Sequence, residues 1–514
     1  MNKHICLSIH GHFYQPPREN AWTGQIEAQP SASPYHDWNE RVHHECYEQN
    51  VNAKIFDEQG NLIKTINNFE KISFNVGPTL LSWLERKHEP TYRAIIEADR
   101  KSLSQHHNHG NAIAQVYNHM IMPLANRRDK ITQVKWGVYE FEFRFGRAPE
   151  GIWLPETACD YETIEVLIDQ GIKFTILSPH QADAVKIQRH QNWRNVSSGT
   201  INPRVPYQLF TAPNKWLSLF FYDGKISSDV AFGSLAFEAK HFADRLEQAV
   251  SKSDVRHPQL LNLATDGETF GHHKGFGERA LAYLMEIEAP RRGFKIVNYA
   301  EFLDLYQAKD EVRLKKGEDG KGTAWSCVHG LKRWYDHCGC RGEGPAEWTQ
   351  HWRKPLREAL DWLRDQLIQS YEETAKKYFK NAWQVRDDYI ELILNPSETA
   401  RTQFFKDHAL RPLSSEEINF SVKLLEMQKF AMLMYTSCGW FFTEISGIET
   451  VQIIQYAARA IQLAEELLHQ SLEEEFLRRL SEAKSNVSEF KDGKGVYEKL
   501  VKPVARHCEE PPKG

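Results

Sequence analysis

The sequence predicts an α/β fold, a parallel β/α barrel followed by an all-α helical region, and three observations carry that prediction. Short apolar strands alternate with helical stretches over roughly the first three hundred residues. Beyond about residue 345 the apolar positions recur every three or four residues instead. A titratable or amide side chain follows nearly every predicted strand. Repeated βα order with strands apolar on both faces is the pattern of a parallel sheet covered by helices.

In chain order the seven candidate strands are Ile5–Ile9, Ile72–Val76, Ala112–Val116, Gly151–Leu154, Phe174–Leu177, Leu217–Tyr222 and Leu260–Ala264. Amphipathic runs such as "PTLLSWLERKHEPTYRAIIEADR" and "KITQVKWGVYEFEFRFG" lie between them. A polar, turn-rich and aromatic insertion at about 18–70 follows the first strand, and loops of such length are usually functional. The second half shows helical spacing at Trp348, Trp352, Leu356, Leu360, Leu363, Leu367 and Tyr371. It recurs at Ile454, Ala457, Ile461, Ala464, Leu468, Leu472, Phe476 and Leu480. Ser414 and Glu417 form a capping box between these runs. The expected division is a barrel over 1–310, a connector over 311–345 and a helical domain over 346–514. The polar tail after 505 fits either a truncated or a natural short form.

Bulk properties narrow the function. The chain has 514 residues, 41% hydrophobic and 26% charged, an ordinary globular composition. With 64 basic against 69 acidic residues the net charge is −5, which argues against a nucleic-acid surface. Aromatics reach 12%, with 14 Trp and 19 Tyr, a stock suited to stacking on pyranose rings. Ser8, His10 and His12 interrupt any signal-peptide core, and no run approaches the roughly 18 apolar residues of a membrane span. Eight scattered cysteines fit a reducing cytoplasm.

In a parallel barrel the C-terminal ends of all strands share one face. The first strand leads to "HGHFYQP", with His10, His12 and Gln15, the third to His119 and the fourth to Glu156. The fifth and sixth lead to His180 and Asp223, and the last to Asp266, Glu268, His272 and His273. Taken singly, His10, His12 and His119 read equally as core histidines, and His106, His107 and His109 read as loop residues. His272 fits a turn beside Gly271, and Trp153 fits the barrel core. Glu156 and Asp266 stand out because Pro155 and Gly267 stop their strands beside them.

These motifs resemble glycoside hydrolase family 57, in the branch with a helical C-terminal domain of unknown function. "HGHFYQPP", "YNHMIMPL", "GIWLPE" and "LATDGETFGHH" resemble the family's first four regions. The resemblance implies an irregular, seven-stranded β/α barrel followed by helices. It also implies a retaining glycosidase or transglycosidase of α-linked glucans or oligosaccharides, working through a glycosyl-enzyme. Glu156 would be the nucleophile and Asp266 the general acid/base. His10, His12, Gln15, His119, Trp153, Glu268, His272, Trp334 and Trp440 are the candidate sugar contacts. Amylases, 4-α-glucanotransferases and branching enzymes are the nearest activities, with no cofactor and no metal. "SCGWFF" resembles a segment where many members carry Ser-Ser-Asp-Trp, but Gly439 stands in place of the acid beside Trp440.

Retention requires the two carboxyls to lie about 5–5.5 Å apart, against roughly 6.5–9.5 Å for inversion. At that separation an ionised Glu156 disfavours ionised Asp266 by about 3 kcal/mol, which lifts the Asp toward 6. Two other readings remain. A metal-dependent carbohydrate deacetylase would draw ligands from His10, His12, Asp266 and His272, but the sequence has no Asp-Asp pair after the first strand and no following His-x-x-x-His. A non-catalytic glucan-binding barrel is the third reading. "SCVHGLKRWYDHCGC" holds Cys327, His329, His337, Cys338 and Cys340 at a spacing that fits no standard zinc motif. It is read as a connector bringing Arg333 and Trp334 toward the cleft. Linkage, chain length, hydrolysis against transfer and oligomeric state are not legible.

Overall fold

The computed structural model of the protein describes residues 5–188, 192–251 and 258–509. Its main strands are β1 (Ile5–Phe13), β2 (Ser73–Val76), β3 (Ala114–Gln115), β4 (Ile152–Trp153), β5 (Phe174–Leu177), β6 (Lys215–Phe221) and β7 (Gln259–Asp266). β1 lies parallel to β7 from Ile5 opposite Gln259 to His12 opposite Asp266. On its other side β1 pairs with β2, His12 facing Asn75. A Phe74–Ala112 bridge carries the order to β3, which pairs with β4. A Gly151–Phe174 bridge leads on to β5, and β5 pairs with β6. The ring closes where Asp223 N donates to Asn262 O at 2.7 Å and Asn262 Nδ2 donates to Phe221 O at 3.0 Å.

Each candidate strand coincides with one of these, but β1 is longer than expected. His10 and His12 lie inside it rather than after it, because β2 and β7 supply hydrogen-bonded partners as far as Phe13. The amphipathic run from Pro78 forms two helices, α1 (Pro78–Lys87) and α2 (Glu89–Gln105), broken at His88 just before Pro90. α3 (Arg127–Phe145) starts at an Asn126 side-chain cap and stops at Gly146, whose φ of 67° suits a residue without Cβ. The structure has further strands that the sequence pattern does not announce. The insertion carries a hairpin of Ala53–Phe56 with Leu62–Ile66, and Tyr207–Ala212 lies antiparallel to β6.

The second half is helical: α4 (Arg353–Ala375), α5 (Ala382–Asp388), α6 (Ser415–Leu433), α7 (Ile448–Leu468) and α8 (Glu473–Leu480). α6 has the expected capping box from Ser414 to Glu417. α4 begins at Arg353, five residues later than its apolar spacing suggests. The long run to Leu480 breaks at His469, which takes a left-handed φ of 52°. Leu356, Leu360, Leu363 and Leu367 of α4 are fully buried, each worth about 1.5–3 kcal/mol of burial.

This second core also takes in Tyr117, Met120, Ile121 and Trp136 from the barrel side, so the halves share an apolar interface. Polar contacts lock it. Arg386 of α5 pairs with Asp129 of α3 at 2.7 Å, both nearly inaccessible, and Trp136 Nε1 donates to Asp387 O at 2.8 Å. Trp22 of the insertion donates to Gln462 of α7 at 2.5 Å. Among the described residues no helix is long and apolar enough to cross a membrane.

Candidate active site

Period-2 alternation along β1 turns His10 and His12 to the same side. His10 is fully buried, with Nδ1 3.1 Å from Ser73 Oγ and Nε2 3.0 Å from Asn75 Oδ1. His12 Nε2 lies 3.2 Å from His119 Nε2, and His119 Nδ1 lies 2.6 Å from Ser437 Oγ in the helical half. His119 follows β3 with a left-handed φ of 54° and stacks on Tyr14 at 3.8 Å between ring centroids. Burial pushes His10 and His12 down to about 3 and His119 well below the ordinary range. All three are therefore neutral near neutrality and form an uncharged hydrogen-bonding wall.

Trp153 is fully buried behind this wall, stacked on His10 at 4.8 Å and His12 at 5.1 Å. As a sugar contact it is corrected: it is the apolar plate that fixes the two imidazoles.

Glu156 follows β4 and Pro155 in a left-handed conformation, φ 58° and ψ 19°. Thr157 is left-handed too, with φ 50°, so a β-branched residue helps hold the strained turn. The Glu156 carboxylate accepts from Trp325 Nε1 at 3.0 Å and from Ser326 Oγ at 2.5 Å. Burial raises its pKa, while the Ser326 and Trp325 hydrogen bonds and the Arg333 charge oppose the rise.

Asp266 ends β7 beside His12. Its residue is exposed at the strand end, while every other residue of β7 is buried. Burial first, and then the charge of Glu156, push it up to about 7. The direction is the expected one, but charge repulsion is the smaller cause. The two strand ends thus face the same region and sense each other electrostatically.

A third carboxyl lies close by. Glu268 Oε1 accepts from Tyr47 Oη at 2.6 Å and from Tyr14 N at 2.9 Å, and burial lifts it to about 8. Gln15 is occupied within its own loop, accepting from Arg18 Nη2 at 3.0 Å and donating to Tyr14 O. His272 pairs with Glu45 and meets the edge of Trp38, anchoring the insertion. Asp223 caps the helix Gly224–Ala231, and His180 is exposed.

Two further sugar contacts are corrected. Trp334 and Trp440 are almost wholly buried in the helical core, Trp440 donating to Arg353 O at 3.4 Å, so neither offers a ring face. At Gly439 a Cβ would lie 2.4 Å from Ile453 Cδ1, so any side chain there would have to displace Ile453. The segment reaches the site through Ser437 instead.

Sequence reasoning missed Trp325, Ser326, Asn75, Tyr14 and Tyr47. Of these, Asn75 at the end of the second predicted strand and Tyr14 within "HGHFYQP" had a position that could have marked them. The deacetylase ligand set does not converge. Ser73, Asn75 and His119 occupy the His10 and His12 nitrogens, and Glu45 occupies His272. Among the described residues the one grouping able to hold a metal is Cys327, His329, Cys338 and Cys340.

Comparison with known proteins agrees with this architecture. No curated protein matches the chain in sequence. The exo-type maltose-forming amylase of Pyrococcus sp. ST04 superposes with a TM-score of 0.70 at 14% identity, over 98% of this chain and 94% of that one. The family 57 branching enzyme of Pyrococcus horikoshii gives 0.54 at 16% identity, over 99% and 98%. The α-amylase AmyC of Thermotoga maritima gives 0.53 at 12% identity, over 98% and 99%. These likenesses show a shared mixed α/β fold with a helical C-terminal region. A domain of unknown function, DUF3536, matches residues 348–510, and the glycosyl hydrolase family 57 model matches residues 9–315. The chain belongs to glycosyl hydrolase family 57, a family of glycosidases and glycosyl-transferring enzymes.

Proposed function

We propose that this chain is a retaining glycoside hydrolase or transglycosidase of α-linked glucans, with Glu156 as nucleophile and Asp266 as general acid/base. The observation that carries the reading is that two carboxyls at one end of the strands have unlike surroundings. Glu156 is held by two hydrogen-bond donors that favour its ionised form, whereas Asp266 stays largely protonated up to about pH 7. Glu156 attacks the anomeric carbon while Asp266 gives its proton to the leaving oxygen. A glycosyl-enzyme forms and Glu156 loses its charge. Asp266, relieved of that repulsion, then takes a proton from water or a sugar hydroxyl as it attacks, and Glu156 is released as carboxylate.

The barrel is read as irregular and seven-stranded over 1–310, joined by the connector 311–345 to the helical domain. His12 and His119, which keep a little surface, are assigned to sugar hydroxyls, with His10 positioning them through Asn75. Trp325 also walls an open groove of about 1310 Å³, lined by Tyr161, His180, Arg313 and Lys315, with room for further glucose units. Amylase and branching enzyme among the structural relatives support α-glucans as substrate. The scattered positions of the eight cysteines along the chain support a reducing compartment, the cytoplasm.

The test resolves products from maltooligosaccharides with wild type and Glu156→Ala, and traps the intermediate with a fluorinated glycosyl fluoride. The variant is expected to lose about a thousandfold or more in turnover, and the trapped sugar to appear on Glu156. Wild-type activity in the variant, or a label on another residue, would overturn the assignment.

A further inference from the structure

We propose that Cys327, His329, Cys338 and Cys340 bind a zinc ion in a closed tetrahedral site that staples the connector between the barrel and the helices. The proposal does not depend on the catalytic assignment.

The geometry is the first argument. One ligand atom from each residue lies within 4.8 Å of all the others. With Zn–S near 2.3 Å and Zn–N near 2.0–2.1 Å, a regular tetrahedron has S–S edges of about 3.8 Å and S–N edges of about 3.5 Å. Cys327 Sγ and Cys338 Sγ are 3.9 Å apart, and Cys340 Sγ lies 3.5 Å from His329 Nδ1. The sulfurs are too far apart for a disulfide, whose bond is about 2.05 Å. His337, equally near in sequence, is not in the set: it packs on His351 at 4.1 Å, and its Nδ1 accepts from Gln350 N at 3.3 Å.

Two short arms supply the ligands, Cys-x-His at 327–329 and Cys-x-Cys at 338–340. Gly339 sits between its two cysteines with φ of 76°, a left-handed turn that brings both sulfurs to one side and that other residues disfavour. Eight residues, 330–337, separate the two arms, a spacing that matches no standard zinc motif.

Charge is the second, independent argument. Arg353, at the start of α4, is fully buried, and among the described residues no carboxylate pairs with it. Its guanidinium donates to Cys340 O and to Phe441 O and Phe442 O, each at 3.2 Å, and its Nη1 lies 3.9 Å from Cys338 Sγ. A buried cation satisfied only by carbonyls is costly. Three thiolates, one neutral imidazole and Zn²⁺ carry a net charge of −1, the missing counter-charge. Thiolate-rich sets select zinc among the common divalent ions, and four protein ligands leave no open position for catalysis.

Cys327 directly follows Trp325 and Ser326, the two donors to Glu156. An ion there would fix the backbone that presents both.

The test uses the full chain, purified under reducing conditions from zinc-supplemented culture. Elemental analysis is expected to give about one zinc per chain, falling below about a tenth in C338S/C340S. Because that variant could fail to fold, reduced metal-free wild type is also titrated with cobalt(II). Tetrahedral cobalt–thiolate absorption saturating at about one equivalent, and bleached by zinc, is expected. Zinc-free wild type without that absorption would overturn the proposal, as would full zinc retention in a folded C338S/C340S or a Cys327–Cys338 disulfide in the reduced protein.

Discussion

The two ends of the strand ring shift the same residue types in opposite directions. Where strands begin, Glu301 accepts from His106 at 2.7 Å, His107 at 3.0 Å and Lys295 at 2.8 Å. Burial pulls its pKa upward, but the hydrogen bonds from His106 and Lys295 win and hold it at about 2. Glu150, just before β4, is lowered in the same way against burial by His109 and Lys173. Where strands end, Glu156, Asp266 and Glu268 are all raised, because burial outweighs the hydrogen bonds and charges that oppose it. Arg333 acts on Glu156 from a distance without forming an ion pair. The difference teaches that partner charge, more than depth, separates a carboxyl that holds the fold from one poised to exchange a proton.

The largest expected effect tests the poised end. Asp266→Asn should lower kcat/KM by about 10²–10⁴-fold while leaving thermal unfolding nearly unchanged, a contrast read by kinetics and calorimetry on one preparation. In wild type, kcat/KM should fall as pH rises through about 7, where Asp266 loses the proton it must donate. It should also fall at the acid limb as Glu156 becomes protonated. A flat profile between pH 6 and 8 would break the pairing of roles.

Glu301→Gln is the converse at the other end. It should cost about 2–3 kcal/mol of stability, less than a fully enclosed pair because Lys295 and His107 are exposed, with turnover retained. Its sign with pH follows from a folded value depressed from 4.5 to about 2. The stabilisation is complete above the ordinary carboxyl range and disappears as pH falls through about 2, so the gap between variant and wild type should close on acidification.

Ser437→Ala strips the Nδ1 partner from a buried His119 and should cost about 1–3 kcal/mol, measured by denaturant unfolding. The smallest effect sharpens the comparison most. In Glu156→Gln, the Asp266 titration followed by carboxyl NMR should drop yet stay above the ordinary aspartate range, because burial is the larger cause of its shift. A return to an ordinary value would reverse that order.

Much of this was legible because the signals are local. Apolar strands stopped by Pro155 or Gly267 marked Glu156 and Asp266, and "HGHFYQP" marked the histidine wall. What was not legible depends on distance or on ambiguity. Trp325 and Ser326 meet Glu156 across 169 and 170 residues, with no periodic cue. Trp334 and Trp440 were misread because a tryptophan beside a motif looks the same whether it faces sugar or core. The break at His469 lacked the glycine that usually announces a left-handed cap. Spacing does not show that Cys327, His329, Cys338 and Cys340 come together, because a folded turn sets the approach of the arms.

The interlock between the halves limits how such a chain could be rebuilt or have arisen by recombination. His119 answers to Ser437, Asp129 to Arg386 and Trp22 to Gln462, each partner belonging to the other half. A crossover at the connector that imported a foreign helical half would leave Asp129 an unneutralised buried anion and His119 without its hydroxyl. The two parts are not interchangeable cassettes but co-adapted pieces, and a viable chimera would have to carry these three pairs across the junction together.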